Sequence, residues 1–163
     1  MTALKTLLFS IIVPGTVAVF VPYSMIARRP DLFSAPSGIR FFGLIPIATG
    51  VLLYVWCAWY FTFIGQGTPA AFDPPRNLVV KGPYRHLRNP MYVAVCLVVL
   101  GQAALFESAR LLNYSLFIFI GFNLFVIFYE EPTLRRKFGD SYERYCQSVS
   151  RWLPGIPGRT DAN

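Results

Sequence analysis

The stretch that decides the fold is Leu111–Tyr129, LLNYSLFIFIGFNLFVIFY, followed at once by Glu130-Glu131-Pro132. It holds 19 residues without a charge, close to the roughly 20 that a helix needs to cross a hydrocarbon core. Three more uncharged stretches precede it: Thr6–Ile26, Phe41–Ile64 and Pro90–Phe106, of 21, 24 and 17 residues. Only 14% of the 163 residues are charged, against about 25% in an ordinary soluble domain. These readings predict an all-α polytopic membrane protein with about four transmembrane helices, the third marginal in length. They exclude a disordered chain and argue against a water-soluble enzyme. Pro14, Pro22 and Pro46 fall inside the apolar stretches, where proline is expected to bend a helix.

Basic residues give the expected orientation. If all four stretches cross, eleven lysines and arginines fall on the side of both termini and the long second connection, and four (Arg28, Arg29, Arg40, Arg110) on the other. The positive-inside rule then predicts cytoplasmic termini and a cytoplasmic connection. The net charge of +7 is what membrane-flanking lysines and arginines produce against anionic lipid, and no nucleic-acid module accompanies it. Cys57 and Cys96 lie in apolar stretches and Cys146 in the tail, which forms neither a disulfide framework nor a metal-ligand spacing. No metal site and no obligate protein partner are inferred.

The chain reads as a single membrane domain, 1–163. Residues 1–64 are expected to be scaffold spans, and 65–163 the half that carries the chemistry. The connection Gly65–Asn89 is rich in glycine and proline yet holds Phe72, Leu78, Val79 and Val80, so it is expected to pack rather than trail. After Glu131 the proline suits the first turn of a new helix, predicting a bend into a separate amphipathic tail helix that Gly139 closes. Asp140 and Glu143 resemble a capping box, and Tyr142, Tyr145 and Val149 recur at helical spacing.

Two groups of residues demand a chemical explanation. Glu130 and Glu131 stand at the carboxyl end of an apolar helix, where the helix dipole already places negative charge. They call for a cationic partner: a salt bridge to Arg85, Arg88 or Arg135, or a cationic ligand. The run Lys81-Gly82-Pro83-Tyr84-Arg85-His86-Leu87-Arg88-Asn89-Pro90-Met91-Tyr92 supplies cations, aromatic faces and proline-fixed backbone just before the third stretch. An interfacial anchor accounts for its charge but not for its prolines and tyrosines.

Taken together, Leu78-Val79, Gly82-Pro83-Tyr84-Arg85, Arg88-Asn89-Pro90-Met91-Tyr92, Glu130-Glu131 and the tail pattern Phe138-Gly139, Tyr142, Tyr145, Val149, Arg151, Pro154 resemble the isoprenylcysteine carboxyl methyltransferase family and the related bacterial phospholipid-methyltransferase-like membrane proteins. The resemblance runs from about Arg76 to Pro154. It implies an integral membrane methyltransferase that takes S-adenosylmethionine from the cytoplasm and a lipophilic or lipid-linked acceptor from the bilayer. It places the cofactor against Asn77, Leu78, Val79, Tyr84, Asn89, Pro90, Met91, Tyr92 and Glu130, with Glu131 in support. The chemistry of the cofactor agrees: Glu130 can meet its ammonium, Arg85, Arg88 or backbone N–H groups its carboxylate, and Tyr84 and Tyr92 its adenine or sulfonium.

Three positions depart from the isoprenylcysteine enzymes. Asn89 stands where they commonly have histidine, Ala94 where they often have glycine, and Val126 where they place an arginine one turn before the first glutamate. The missing arginine leaves a prenylcysteine carboxylate unsupported as acceptor. Glu131, His86 and Tyr92 are the candidate bases, and no catalytic residue is assigned. Two other classes are set beside this one. The tail around Lys137-Phe138-Gly139 and Tyr142 also resembles the end of NADPH-dependent membrane sterol reductases, and a non-catalytic membrane scaffold would use the charges only as anchors.

Overall fold

The computed structural model describes residues 12–27, 38–65 and 77–154, which are mostly helical with no strand among them. Five helices organise them: α1, Ile12–Ile26; α2, Gly38–Phe63; α3, Pro90–Leu105; α4, Ala109–Phe138; and α5, Asp140–Ser148. The helices α2 and α4, of 26 and 30 residues, are long and apolar enough to cross a membrane. The other two apolar helices, α1 and α3, are shorter. At 1.5 Å per residue, the 16 residues of α3 reach about 24 Å. Residues 6–11 of the first apolar stretch and residues 66–76 of the Gly65–Asn89 connection, Phe72 among them, lie outside the described residues.

The helix α3 is the inner one, packed along α2 and α4 and touched by α1. Its apolar sequence is therefore shared with protein neighbours on most sides, and Ala94, Val95, Val99 and Ala103 are buried. Glycines set its distance from α2. A Cβ on Gly43 would lie 2.5 Å from the Gly101 carbonyl oxygen, one on Gly50 2.6 Å from that of Ala94, and one on Gly101 2.6 Å from that of Gly43. Two backbones that touch at these points leave no room for a methyl group, the small-residue seam that apolar helices use to associate. A second core joins α1, α3 and α4 through Ala18, Val95, Val99 and Ile118. Outward, α2 exposes Leu52, Val55, Trp56 and Trp59, and α4 exposes Leu116, Phe117, Ile120 and Phe128. A continuous apolar exterior of this extent marks a surface meant for another apolar phase.

Prolines shape the winding more than the direction. Thr16–Phe20, just before Pro22, is a π-turn closed by the Val21 N–H donating to the Thr16 carbonyl. Pro22 has no N–H for the Ala18 carbonyl four residues back. Gln102 of α3 supplies the missing donor, its Nε2 reaching that oxygen at 2.8 Å, and Tyr114 Oη donates to the neighbouring Val17 carbonyl at 3.0 Å. Pro46 is the third residue of the α-helical part of α2, just after the 3₁₀ start Gly38–Gly43.

The same device corrects the expected tail. Pro132 does sit in the first turn of the amphipathic segment Glu131–Phe138, but that segment continues α4 to Phe138 across a π-turn over Val126–Glu130, with the Glu131 N–H bonded to the Val126 carbonyl. Gly139, at φ 51°, ends α4. The expected capping box also fails to form, because Gly139 itself caps α5 and no side-chain cap bond is made. Glu143 pairs instead with Arg135, Nε to Oε1 at 3.0 Å. Tyr142 and Tyr145 are buried, as their spacing implies.

Candidate functional site

The turn ahead of α3 is built first. Gly82 (φ 60°) turns the chain where a Cβ would meet the Tyr60 ring at 2.6 Å, and Gly82–Arg85 forms one 3₁₀ turn. That turn buries Pro83 and Tyr84. Tyr84 packs with Cys57 and Val79, its ring edge-on to Phe61 at 5.3 Å. Asn89 caps α3, and Pro90 opens it.

The tail then ties this turn to α4. Tyr145 Oη donates to the Tyr84 carbonyl at 2.7 Å and lies 3.4 Å from that of Leu87. The Arg88 N–H donates to the Ser150 carbonyl at 2.9 Å, and Asn89 Nδ2 reaches the Arg151 carbonyl at 3.4 Å. Trp152 Nε1 donates to Asn123 Oδ1 on α4 at 3.2 Å, its ring against Phe119. Burial raises the phenols of Tyr84 and Tyr145 above their ordinary range, so both stay protonated donors at neutral pH.

The two adjacent glutamates part company. Glu131 is buried and receives Arg151 through two bonds, Nε to Oε1 at 2.8 Å and Nη2 to Oε2 at 3.0 Å, and Arg88 Nη1 at 3.1 Å. The paired carboxylate in turn raises the Arg151 guanidinium above its ordinary range. Arg88 Nη1 also lies 2.9 Å from Cys146 Sγ. Glu130, one step round the helix, meets a different environment: its Oε2 accepts from Tyr92 Oη at 2.7 Å, and the Tyr92 ring packs on Phe122 with centroids 4.7 Å apart. The π-turn ends at this doublet, a position where wide turns often redirect functional side chains.

Glu130 and Tyr92 open on a cavity whose empty space, open mouth included, is about 570 Å³. Its polar end is lined by Tyr84, Arg88, Asn89, Met91, Tyr92 and Glu130, and its apolar wall by Val13, Pro14 and Val17 of α1 with Tyr54, Phe61, Val95 and Phe122. Six of the eleven residues expected from the sequence therefore line one space. Asn77, Leu78, Val79, Pro90 and Glu131 are not among its lining residues; Val79 lies behind Tyr84, and Glu131 is held in the arginine cluster. Arg85 and His86 are exposed. Two buried polar atoms of lining residues, Tyr84 Oη and Arg88 Nε, have no nitrogen or oxygen partner among the described residues; the group beside Tyr84 Oη is the Cys57 thiol. The contributions of α1 and of Arg151 were not legible: Val13, Pro14 and Val17 read as plain membrane sequence, and an arginine in a basic tail reads as an anchor.

The phospholipid methyltransferase family model matches residues 39–141, and the chain belongs to that family. An uncharacterised protein of Haemophilus influenzae is 42% identical over 64 residues, 39% of this chain and all of that protein. With two helices long and apolar enough to span, the family makes this a membrane-associated methyltransferase.

Proposed function

We propose that the chain transfers a methyl group from S-adenosylmethionine to a small lipophilic or lipid-linked acceptor at the cytoplasmic face of a membrane. In this reading α1 to α4 all cross or enter the bilayer, both termini are cytoplasmic, and the tail packs at that surface. One observation carries it: a carboxylate, two buried donors without a nitrogen or oxygen partner, and an apolar wall converge on a single cavity. The family match favours methyl transfer over the reductase and scaffold alternatives.

The residues fit the cofactor. S-adenosylmethionine carries an ammonium, a carboxylate, a sulfonium and a flat base. Glu130 offers the anion for the ammonium, and Tyr84 Oη and Arg88 Nε are donors in need of an acceptor such as the carboxylate. Tyr92 and Phe122 present aromatic surface. When bound, the cofactor supplies an electrophilic methyl group. The chain holds the reactants in line and excludes water, which is most of what such a displacement requires. The arginine cluster on Glu131 fixes Arg88, and the Tyr145 bond fixes the turn that carries Tyr84.

Calorimetric titration of purified protein with S-adenosylmethionine tests the reading. Saturable binding that weakens at least about tenfold in Glu130→Gln, about 1.4 kcal/mol, is expected. Absence of saturable binding by the parent protein up to millimolar cofactor overturns it.

A further inference from the structure

Arg151 lies outside the cavity, yet it grips the carboxylate that grips one of the cavity's walls. Its Nε and Nη2 form two parallel bonds to Glu131, at 2.8 Å to Oε1 and 3.0 Å to Oε2. A side-on fork of this kind fixes the plane of a carboxylate as well as its position. Oε1 then accepts a second guanidinium, Arg88 Nη1 at 3.1 Å. Arg88 lines the cavity, and Glu131 and Arg151 do not.

The backbone delivers both arginines to Glu131 in a fixed register. The Arg88 N–H donates to the Ser150 carbonyl at 2.9 Å, and Asn89 Nδ2 reaches the Arg151 carbonyl at 3.4 Å. The next residue, Trp152, is bonded to Asn123 of α4. The Arg88 bonds to Glu131 and Cys146 both leave from Nη1. Its Nε, in contrast, has no nitrogen or oxygen partner among the described residues. Nε and Nη2 of Arg88 form the same side-on edge that Arg151 gives to Glu131, a two-donor edge that matches a carboxylate. One carboxylate between two guanidiniums also leaves this cluster with one positive charge in excess. Glu130, on the same cavity as Arg88, is an anion. A ligand with an ammonium and a carboxylate on one carbon meets both signs.

Resting on the cofactor reading above, we propose that Arg151 is a positioning residue: by locking the Glu131 carboxylate it orients the Arg88 guanidinium, whose side-on edge then receives the carboxylate of S-adenosylmethionine. Arg151 itself touches neither cofactor nor acceptor. Lysine in its place keeps the charge but offers a single point instead of a fork, so the Glu131 carboxylate can swing and Arg88 with it. The consequence is confined to the ligand's carboxylate. A residue that only tied the tail to α4 would weaken every ligand of the cavity alike.

The test is calorimetry on the full chain in lipid nanodiscs with two ligands: S-adenosylmethionine and its decarboxylated form, which keeps the amine, the sulfonium and the base. The parent protein should bind the carboxylate-bearing ligand at least about tenfold more tightly. Arg151→Lys should lose about tenfold in affinity for that ligand and stay within about threefold of the parent for the decarboxylated one. Arg151→Met should show the same selective loss. In both variants Arg88 keeps Glu131, and the Arg151 side chain is one-third exposed, so both are expected to fold. Variants with the parent's affinity for S-adenosylmethionine, or with equal losses for the two ligands, overturn the proposal. A parent protein that binds both ligands equally also overturns it, whether or not a variant folds, and leaves the cofactor reading standing. Absence of saturable binding of either ligand by the parent overturns the reading beneath the proposal and the proposal with it.

Discussion

Tyr145 Oη donates a 2.7 Å hydrogen bond to the carbonyl oxygen of Tyr84, 61 positions earlier in the chain, and both residues are buried. The tail thus supports the turn that floors the cavity. Tyr145→Phe keeps the ring but leaves a buried carbonyl without its donor, which costs about 1–3 kcal/mol. Thermal unfolding in detergent should show that loss. Cofactor affinity should fall with it, because Tyr84 and Arg88 hang from the same turn; unchanged affinity would detach the tail from the site.

Glu131 and Glu130 should respond differently to the same chemical change. Glu131→Gln removes the anion shared by Arg88 and Arg151, and breaking a buried pair costs about 3–5 kcal/mol. Arg151→Met should cost less, since Arg88 keeps its partner and the Arg151 side chain is one-third exposed. Glu130→Gln should leave the unfolding midpoint near the parent value and weaken cofactor binding. A reversal of these two outcomes, read by unfolding and calorimetry, would exchange the roles given to the two residues.

How much of this was legible follows from where each signal lies. The apolar stretches announce the helices because hydrophobicity is local, and the proline–tyrosine run and the acid doublet mark the polar end of the cavity. Identical neighbours cannot reveal that one glutamate faces Tyr92 and the other Arg151, since that division depends on helix rotation and on a tail 20 residues away. The sequence offers the pair Arg85, Arg88 and Arg135. Arg88 does take part, Arg135 goes to Glu143, and Arg85 is exposed. The wall from α1 was hidden for a related reason: valines that line a cavity and valines that face lipid obey the same composition.

Gln102→Leu tests the repair of the proline break in α1. It strips the donor from the Ala18 carbonyl, and an unpaired buried carbonyl costs about 1–3 kcal/mol. Pro22→Ala restores a backbone N–H at the position that could bond Ala18. In a double-mutant cycle, Gln102→Leu should therefore cost less on the Pro22→Ala background than alone. Equal costs would show that the carbonyl is served by something else.

The seam between α2 and α3 predicts a sharp contrast among glycines. Gly50→Ala places a methyl 2.6 Å from the Ala94 carbonyl oxygen, so the helices must separate, and overpacking of this kind costs about 1–3 kcal/mol. Gly121→Ala, in the middle of α4 with nothing within 4 Å, should be neutral or stabilising by up to about 1 kcal/mol from helix propensity alone. Unfolding midpoints of the two variants decide it.

That seam also assigns mechanical parts. Helices whose backbones touch at Gly43, Gly50 and Gly101 form a spine that cannot be pried open one from the other, and α4 is tied to the turn through Glu131 and Trp152. The remaining wall, the valines of α1, meets the rest through the Ala18, Val95, Val99 and Ile118 core and two hydrogen bonds at Val17 and Ala18. Moving α1 would cost those two bonds and that set of contacts, whereas parting α2 from α3 would mean separating two backbones in contact.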